Sequence, residues 1–209
     1  MSTLYRVDSS VRAGRSVTRE IADEVERAWS AERPDGEVVR RDLLETPLSP
    51  ALWMDSLAAL ENGTPSAAAT ELAEELLGAD AILIAAPLYN WGPSPHITCW
   101  VDMLWTEPRF GPHRYPLAGR PIALVTARGG GASPGSPQEG WDVSVPYLAR
   151  TFGPEVFGGE VTLIETELTL ADENPRMAHL REQAAALRER NRALARETGA
   201  ALGRCAARA

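Results

Sequence analysis

Four short, almost uninterrupted apolar runs constrain this chain more than any other feature: TLYRV around Leu4, AILIAAP from Ala81, PIALVTA from Pro121 and EVTLIET from Glu160. A weaker fifth, EVVRRDL, starts at Glu37. Each run is too short for a buried helix and reads as a strand. Between them apolar residues recur with helical spacing, in Val17 to Trp29, in Ala67 to Leu77, and at Met177, Leu180, Ala184, Leu187 and Leu194. Strand and helix therefore alternate, which predicts crossover connections and a parallel sheet covered on both faces. Near-continuous apolar strands are what such double burial demands. The fold class is α/β, doubly wound. The stretch 41–63 contains Pro47 and Pro50 and little periodicity, so it reads as a connection with a turn or two of helix. Arg6 lies inside a strand that should be buried, and such a charge needs a partner.

With 209 residues and no linker, repeat or low-complexity block, one domain spanning 1–209 is expected, with 198–209 read as a frayed tail. No apolar run approaches the roughly 20 residues of a membrane span, and no export signal is evident, so a soluble cytoplasmic protein is expected. A net charge of −8 disfavours a nucleic-acid partner. All 21 basic residues are arginine, which removes any lysine-based chemistry. Cys99 and Cys205 have no paired spacing and read as reduced thiols. His96, His113 and His179 have no metal-ligand spacing, and no metal is expected.

In open α/β sheets ligands sit beyond the carboxyl ends of the strands. Three loops reach that rim. SSVRAGRSVTRE follows the first strand, and Ser16 is a good N-cap for the helix that Gly14 lets the chain turn into. Beyond capping, the hydroxyls of Ser10, Ser16 and Thr18 and the free amides of the first helical turn suit a phosphate. Neither G-x-x-x-x-G-K-S/T nor G-x-G-x-x-G is present, which argues against an NTPase and a Rossmann dinucleotide site. The second loop, APLYNWGPSPH, holds Tyr89, Asn90 and Trp91 among three prolines, either covering the core or walling a planar ring. The third, TARGGGASPGS, places three glycines directly after a strand, where bare amides can approach a ligand. Phosphate donors, an aromatic wall and exposed amides together suit flavin mononucleotide.

These residues resemble the FMN-dependent NADH-azoreductases, within the flavodoxin-like NAD(P)H:quinone reductase group. The resemblance spans most of the chain: SS-x-x-AG-x-S near the start, AP-L-YN plus an aromatic, Asp102 in its helix, T-x-RGG, and PYL at Pro146 to Leu148. It implies a five-stranded parallel sheet of order 2-1-3-4-5 with helices on both faces. It implies that Ser10, Ser16, Val17 and Thr18 hold the phosphate and ribityl end. Pro87, Leu88, Tyr89, Asn90 and Trp91 would border the isoalloxazine, and Ala127, Arg128, Gly129 and Gly130 would complete its edge. Two departures stand out. Position 17 is Val where a polar residue is usual, and the segment 102–120 is short.

The expected function is FMN-dependent NAD(P)H oxidoreduction, a two-electron ping-pong reduction of a quinone, azo or similar conjugated small acceptor. The flavin carries the chemistry, so no catalytic side chain is required, and NADH or NADPH is the donor. Amides at Gly129 and Gly130 would stabilise the negative charge that reduction places on the ring edge. A homodimer is expected from the family resemblance and the aromatic helix around Trp100 and Trp105. The alternative is a flavodoxin-like electron-transfer or flavin-binding module serving a protein partner. Against it stand the length and the tryptophans at 91, 100, 105 and 141, which suit a covered pocket.

Overall fold

The computed structural model describes residues 2–12 and 14–205. In chain order the strands are β1 (Thr3–Asp8), β2 (Glu37–Asp42), β3 (Ala81–Ala85), β4 (Leu88–Tyr89), β5 (Gly92–Pro93), β6 (Pro121–Ala127) and β7 (Glu160–Thr166). The helices are α1 (Val17–Glu32), α2 (Pro50–Glu61), α3 (Ala67–Leu77), α4 (Pro95–Trp105), α5 (Ser144–Phe152) and α6 (Arg181–Cys205). The main sheet runs β2-β1-β3-β6-β7 and every pairing in it is parallel. Counting its five strands alone, this is the expected order 2-1-3-4-5. Central strands β1 and β3 are buried almost throughout, whereas edge strand β2 is half exposed, which is why its apolar signal was the weakest.

Strand residues alternate between two layers. Leu4, Leu83, Ala85, Val125 and Ile164 face α1 and α6, together with Ile21, Val25 and Trp29. Tyr5, Val7, Ile82, Ile84 and Leu124 face the other layer, built from α3, α4 and α5 around Trp100, Phe110, Phe152 and Phe157. Arg6 points toward α1, where its Nε donates to Asp8 at 2.8 Å and its Nη1 to Asp23 at 2.7 Å and Glu26 at 3.0 Å. The buried charge is thereby paired.

Three expectations are corrected. The connection 41–63 contains the full helix α2 of 12 residues, started by Ser49 as N-cap and Pro50. Ser56 is its one buried residue, so it lacked the apolar stripe that would have revealed it. The tail expected to fray from 198 stays helical to Cys205, and residues 206–209 lie outside the described residues. A Cβ on Gly199 would lie 2.1 Å from the Val25 carbonyl, and one on Gly203 2.6 Å from Glu32 Cβ, so two glycines let α6 pack closely on α1. Finally, Trp100 belongs to the core, stacked between Tyr5 and Phe152, and Trp105 leans on Phe157. Among the described residues, neither lines the two cavities at the carboxyl edge of the sheet.

Candidate cofactor site

The carboxyl ends of β1, β3 and β6 open into a cleft of about 530 Å³. That lies within the range of roughly 300–1,000 Å³ usual for small-molecule sites. Nine residues expected at the site line it: Ser10, Ser16, Val17, Thr18, Pro87, Leu88, Tyr89, Ala127 and Gly129. A second cavity of about 710 Å³ adjoins, reached across Gly129 and Leu170, which line both, and Trp91 and Gly130 border it. Asn90 and Arg128 line neither. No residue of 102–120 lines either cavity, and Phe110 and Leu117 are buried in the core.

The first loop leaves hydrogen-bonding groups free at the start of α1. Ser16 is in extended conformation and its Oγ accepts from the Arg19 amide at 3.2 Å, a regular N-cap. Capping leaves the amides of Val17 and Thr18 at the positive end of α1. Thr18 is 1% exposed, and its Oγ1 has no hydrogen-bond partner among the described residues. A buried hydroxyl without a partner costs free energy unless a ligand completes it. Ser10 plays a partly different role from the one expected: its Oγ accepts from the Arg12 amide at 3.3 Å and lies 3.5 Å from the Tyr89 hydroxyl. It ties the first loop to the second. Arg19 anchors the loop from beneath, donating to the Ser10 carbonyl at 3.0 Å and pairing with Asp42 at 2.7 Å and Asp8 at 3.6 Å. Burial alone would raise the Asp42 carboxyl, but bonds from Arg19 and the Leu44 amide outweigh it and hold the group below its ordinary value.

The second loop is a hairpin. Leu88 pairs with Pro93 and Tyr89 with Gly92, and between them Asn90 (φ 49°) and Trp91 (φ 68°) both adopt the left-handed conformation that a two-residue turn with a type I′ twist requires. Trp91 is costly there, since a bulky side chain at positive φ is strained. Two contacts hold it: the Val143 amide donates to its carbonyl at 3.0 Å, and Trp141 packs edge-on at 5.1 Å.

The third loop has its carbonyls bound and its amides free. The Arg128 carbonyl accepts from the Thr169 amide and hydroxyl, each at 3.1 Å. The Gly129 carbonyl accepts from Leu170 at 3.2 Å and the Gly130 carbonyl from Leu168 at 3.1 Å. In a trans peptide C=O and N–H point opposite ways, so the amides of Gly129, Gly130 and Gly131 are directed away from 168–170. The first two have no acceptor among the described residues. The Arg128 side chain, expected at the flavin edge, is instead engaged by Asp142, Glu165 and Glu167.

Sequence reasoning missed the segment after β7, where Thr169, Leu170, Asp172 and Glu173 line the cleft, and the arginines at 12, 15, 19 and 188. Arg19 carried one readable signal: a cation in the first turn opposes the helix dipole and so implies a tertiary partner. Nothing in ELTLADEN marked the post-β7 segment, since Leu168 takes a φ of 61° that glycine would have announced.

The family of proteins with the flavodoxin-like fold matches residues 2–191. An FMN-dependent NADH:quinone oxidoreductase of Parafrankia sp. (strain EAN1pec) is 34% identical over 190 residues, covering 85% of this chain and 89% of that protein. One from Streptomyces avermitilis is 34% identical over 212 residues, covering 96% and 95%. The solved azoreductase from Bacillus anthracis str. Sterne superposes with a TM-score of 0.76 at 20% identity, covering 96% of this chain and all of that one. An FMN-dependent NADH-azoreductase from B. anthracis str. Ames Ancestor in complex with FMN gives 0.76 at 15% identity, covering 97% and 100%.

Proposed function

The chain belongs to the flavodoxin-like family that contains the FMN-dependent NADH:quinone oxidoreductases, and from that premise we propose that it is an FMN-dependent NAD(P)H oxidoreductase reducing quinone or azo acceptors. The observation that carries this reading is the buried, unpartnered Thr18 hydroxyl in the first turn of α1, beside free backbone amides. The residues present fit FMN. Val17, through its backbone, Thr18 and the Ser16 hydroxyl proton would hold the phosphate. Pro87, Leu88 and Tyr89 would border the ring, and the amides of Gly129 and Gly130 would meet its edge. Val17 costs nothing, because only its amide is used. Arg128 leaves the contact set as a side chain.

Bound FMN supplies reversible two-electron chemistry between NAD(P)H and the acceptor, so that NAD(P)H, a proton and a quinone become NAD(P)⁺ and a hydroquinone. The chain binds and orients. Its hairpin closes one side of the cleft, so donor and acceptor use the remaining opening in turn and the kinetics are ping-pong. The electron-transfer module is set aside, because relatives matched over 85–96% of the chain are named for quinone reduction.

The chain works as one domain, in the cytoplasm, as a homodimer. Among the described residues no helix is long and apolar enough to cross a membrane. Support for the dimer moves from Trp100, which is buried, to the exposed neighbours Trp91, Trp141 and Val143 beside the cleft. Light scattering at micromolar concentration tests it, and a monomer refutes it. The function is tested by the visible spectrum of purified protein loaded with FMN. A bound flavin spectrum that bleaches with NADH anaerobically and returns with a quinone is expected; a protein that cannot retain FMN overturns the reading.

A further inference from the structure

Arg128 is an arginine where a glycine-rich cofactor loop begins, yet its guanidinium does not face the cleft. It is 9% exposed and reaches three carboxylates on two separate segments: Asp142 before α5, and Glu165 at 2.5 Å and Glu167 at 3.1 Å at the end of β7 and just beyond it. Two of these carboxylates have a second task. Asp142 accepts from the first amides of α5, Ser144 at 2.8 Å and Val145 at 3.1 Å. Glu167 accepts from the Ala132 amide at 3.1 Å and from the Ser133 hydroxyl. The guanidinium therefore joins both ends of the glycine loop, the segment carrying Trp141, and the strand whose continuation holds the loop carbonyls. The guanidinium offers one nitrogen to each carboxylate, spread over a rigid plane, whereas an ammonium gathers its three donors on a single rotatable nitrogen.

Building on the FMN reading, we propose that Arg128 is a positioning residue: it fixes the peptide planes at 128–130 so that the Gly129 and Gly130 amides are aimed at the ring edge, where reduction places negative charge. Fixed donors favour the charged form over the neutral one. Arg128 thus sets how much more tightly the site holds reduced than oxidised FMN. The midpoint potential of bound FMN reports that ratio by linkage.

The test compares native protein with Arg128→Lys and Arg128→Met. Oxidised FMN affinity is read from quenching of FMN fluorescence by apoprotein, and the midpoint from anaerobic equilibration with a reference dye. Both variants are expected to hold oxidised FMN within about threefold of native, while the midpoint falls by the equivalent of at least about tenfold weaker binding of the reduced form. Recovery of the midpoint by lysine overturns the proposal in favour of simple charge. Equal loss of both affinities overturns it in favour of general damage. Should both variants misfold, Glu165→Ala removes one leg from a partly exposed position. Positioning then expects the midpoint to fall although a negative charge has gone, and a rise or no change overturns it. Native protein that fails to bind FMN is a separate result, and it sinks the functional reading itself.

Discussion

Two of the loops at the cleft are each fastened by one arginine, and the fastenings serve opposite ends of the expected ligand. Arg19 pulls the Ser10 carbonyl down onto Asp42 and Asp8 and leaves the helix amides and the Thr18 hydroxyl free. The phosphate those groups would meet carries the same charge whether the flavin is oxidised or reduced. Arg128, by contrast, braces a loop facing the part of the ligand whose charge changes. On the proposed assignment, one loop would govern whether the cofactor binds and the other how binding responds to redox state.

The largest expected effect breaks the first loop. Replacing Ser16 and Thr18 together by leucine removes a cap worth about 1 kcal/mol and fills the anion seat with apolar bulk. FMN retention should fall by more than about a hundredfold, an effect of more than ~2.7 kcal/mol. Gel filtration followed by absorbance of the protein peak measures it, and a yellow double variant would refute the assignment of the seat.

The next effect separates neighbouring glycines of the second fastening. A Cβ at Gly129 would lie 2.5 Å from Leu170 Cδ1 and 2.9 Å from its Cγ, so alanine there must displace Leu170, the wall between the two cavities. At Gly130 the nearest atom to a Cβ is Gln138 Oε1 at 3.9 Å. Gly129→Ala should weaken oxidised FMN about five- to tenfold, roughly 1–1.4 kcal/mol, while Gly130→Ala binds as native. A bulky residue at Gly130 should instead slow flavin reduction in stopped-flow absorbance with binding retained. Equal behaviour of the two alanine variants would remove the distinction.

How much of this was legible follows from the kind of signal each part leaves. The sheet was readable because burial on both faces forces near-continuous apolar strands. Helix α2 was missed beyond a turn or two because it buries one small polar residue and leaves no stripe. Ser16, Val17, Thr18 and Gly129, which line the cleft, were named from local signals, an N-cap, a hydroxyl run and a glycine run. Of the fastenings, Arg19 left only the hint of a cation in a first helical turn, and Arg128 left none. Arg128 finds Glu165 and Glu167 because β6 and β7 lie side by side, and Asp142 because the chain returns there before α5; sequence alone carries no trace of that meeting.

A smaller effect concerns the hairpin between the two fastenings. Trp141→Ala removes the edge-on contact that holds Trp91 at positive φ, a pairing worth about 0.5–1.5 kcal/mol beyond area burial. The KM for the acceptor should rise severalfold with oxidised FMN affinity unchanged. A rise in FMN dissociation of the same size would show that the pair supports the cofactor itself.

The smallest effect is the pH dependence of the Arg19 fastening. Asp42 titrates below its ordinary value of 3.8 in the folded protein, because bonds from Arg19 and the Leu44 amide outweigh its burial. A depressed carboxylate contributes stability that is fully present above its unfolded pKa and is lost as pH falls through the folded one. The contribution is therefore constant at neutral pH and fades only below roughly pH 4. With the Asp42 side chain 22% exposed, solvent screens part of it. Thermal melts of apoprotein should show Asp42→Asn less stable than native at pH 7, with the gap closing as pH falls below 4. A gap that persists unchanged to pH 3 would mean that Arg19 holds the Ser10 carbonyl without help from the Asp42 charge, and the likeness between the two arginine fastenings would reduce to geometry.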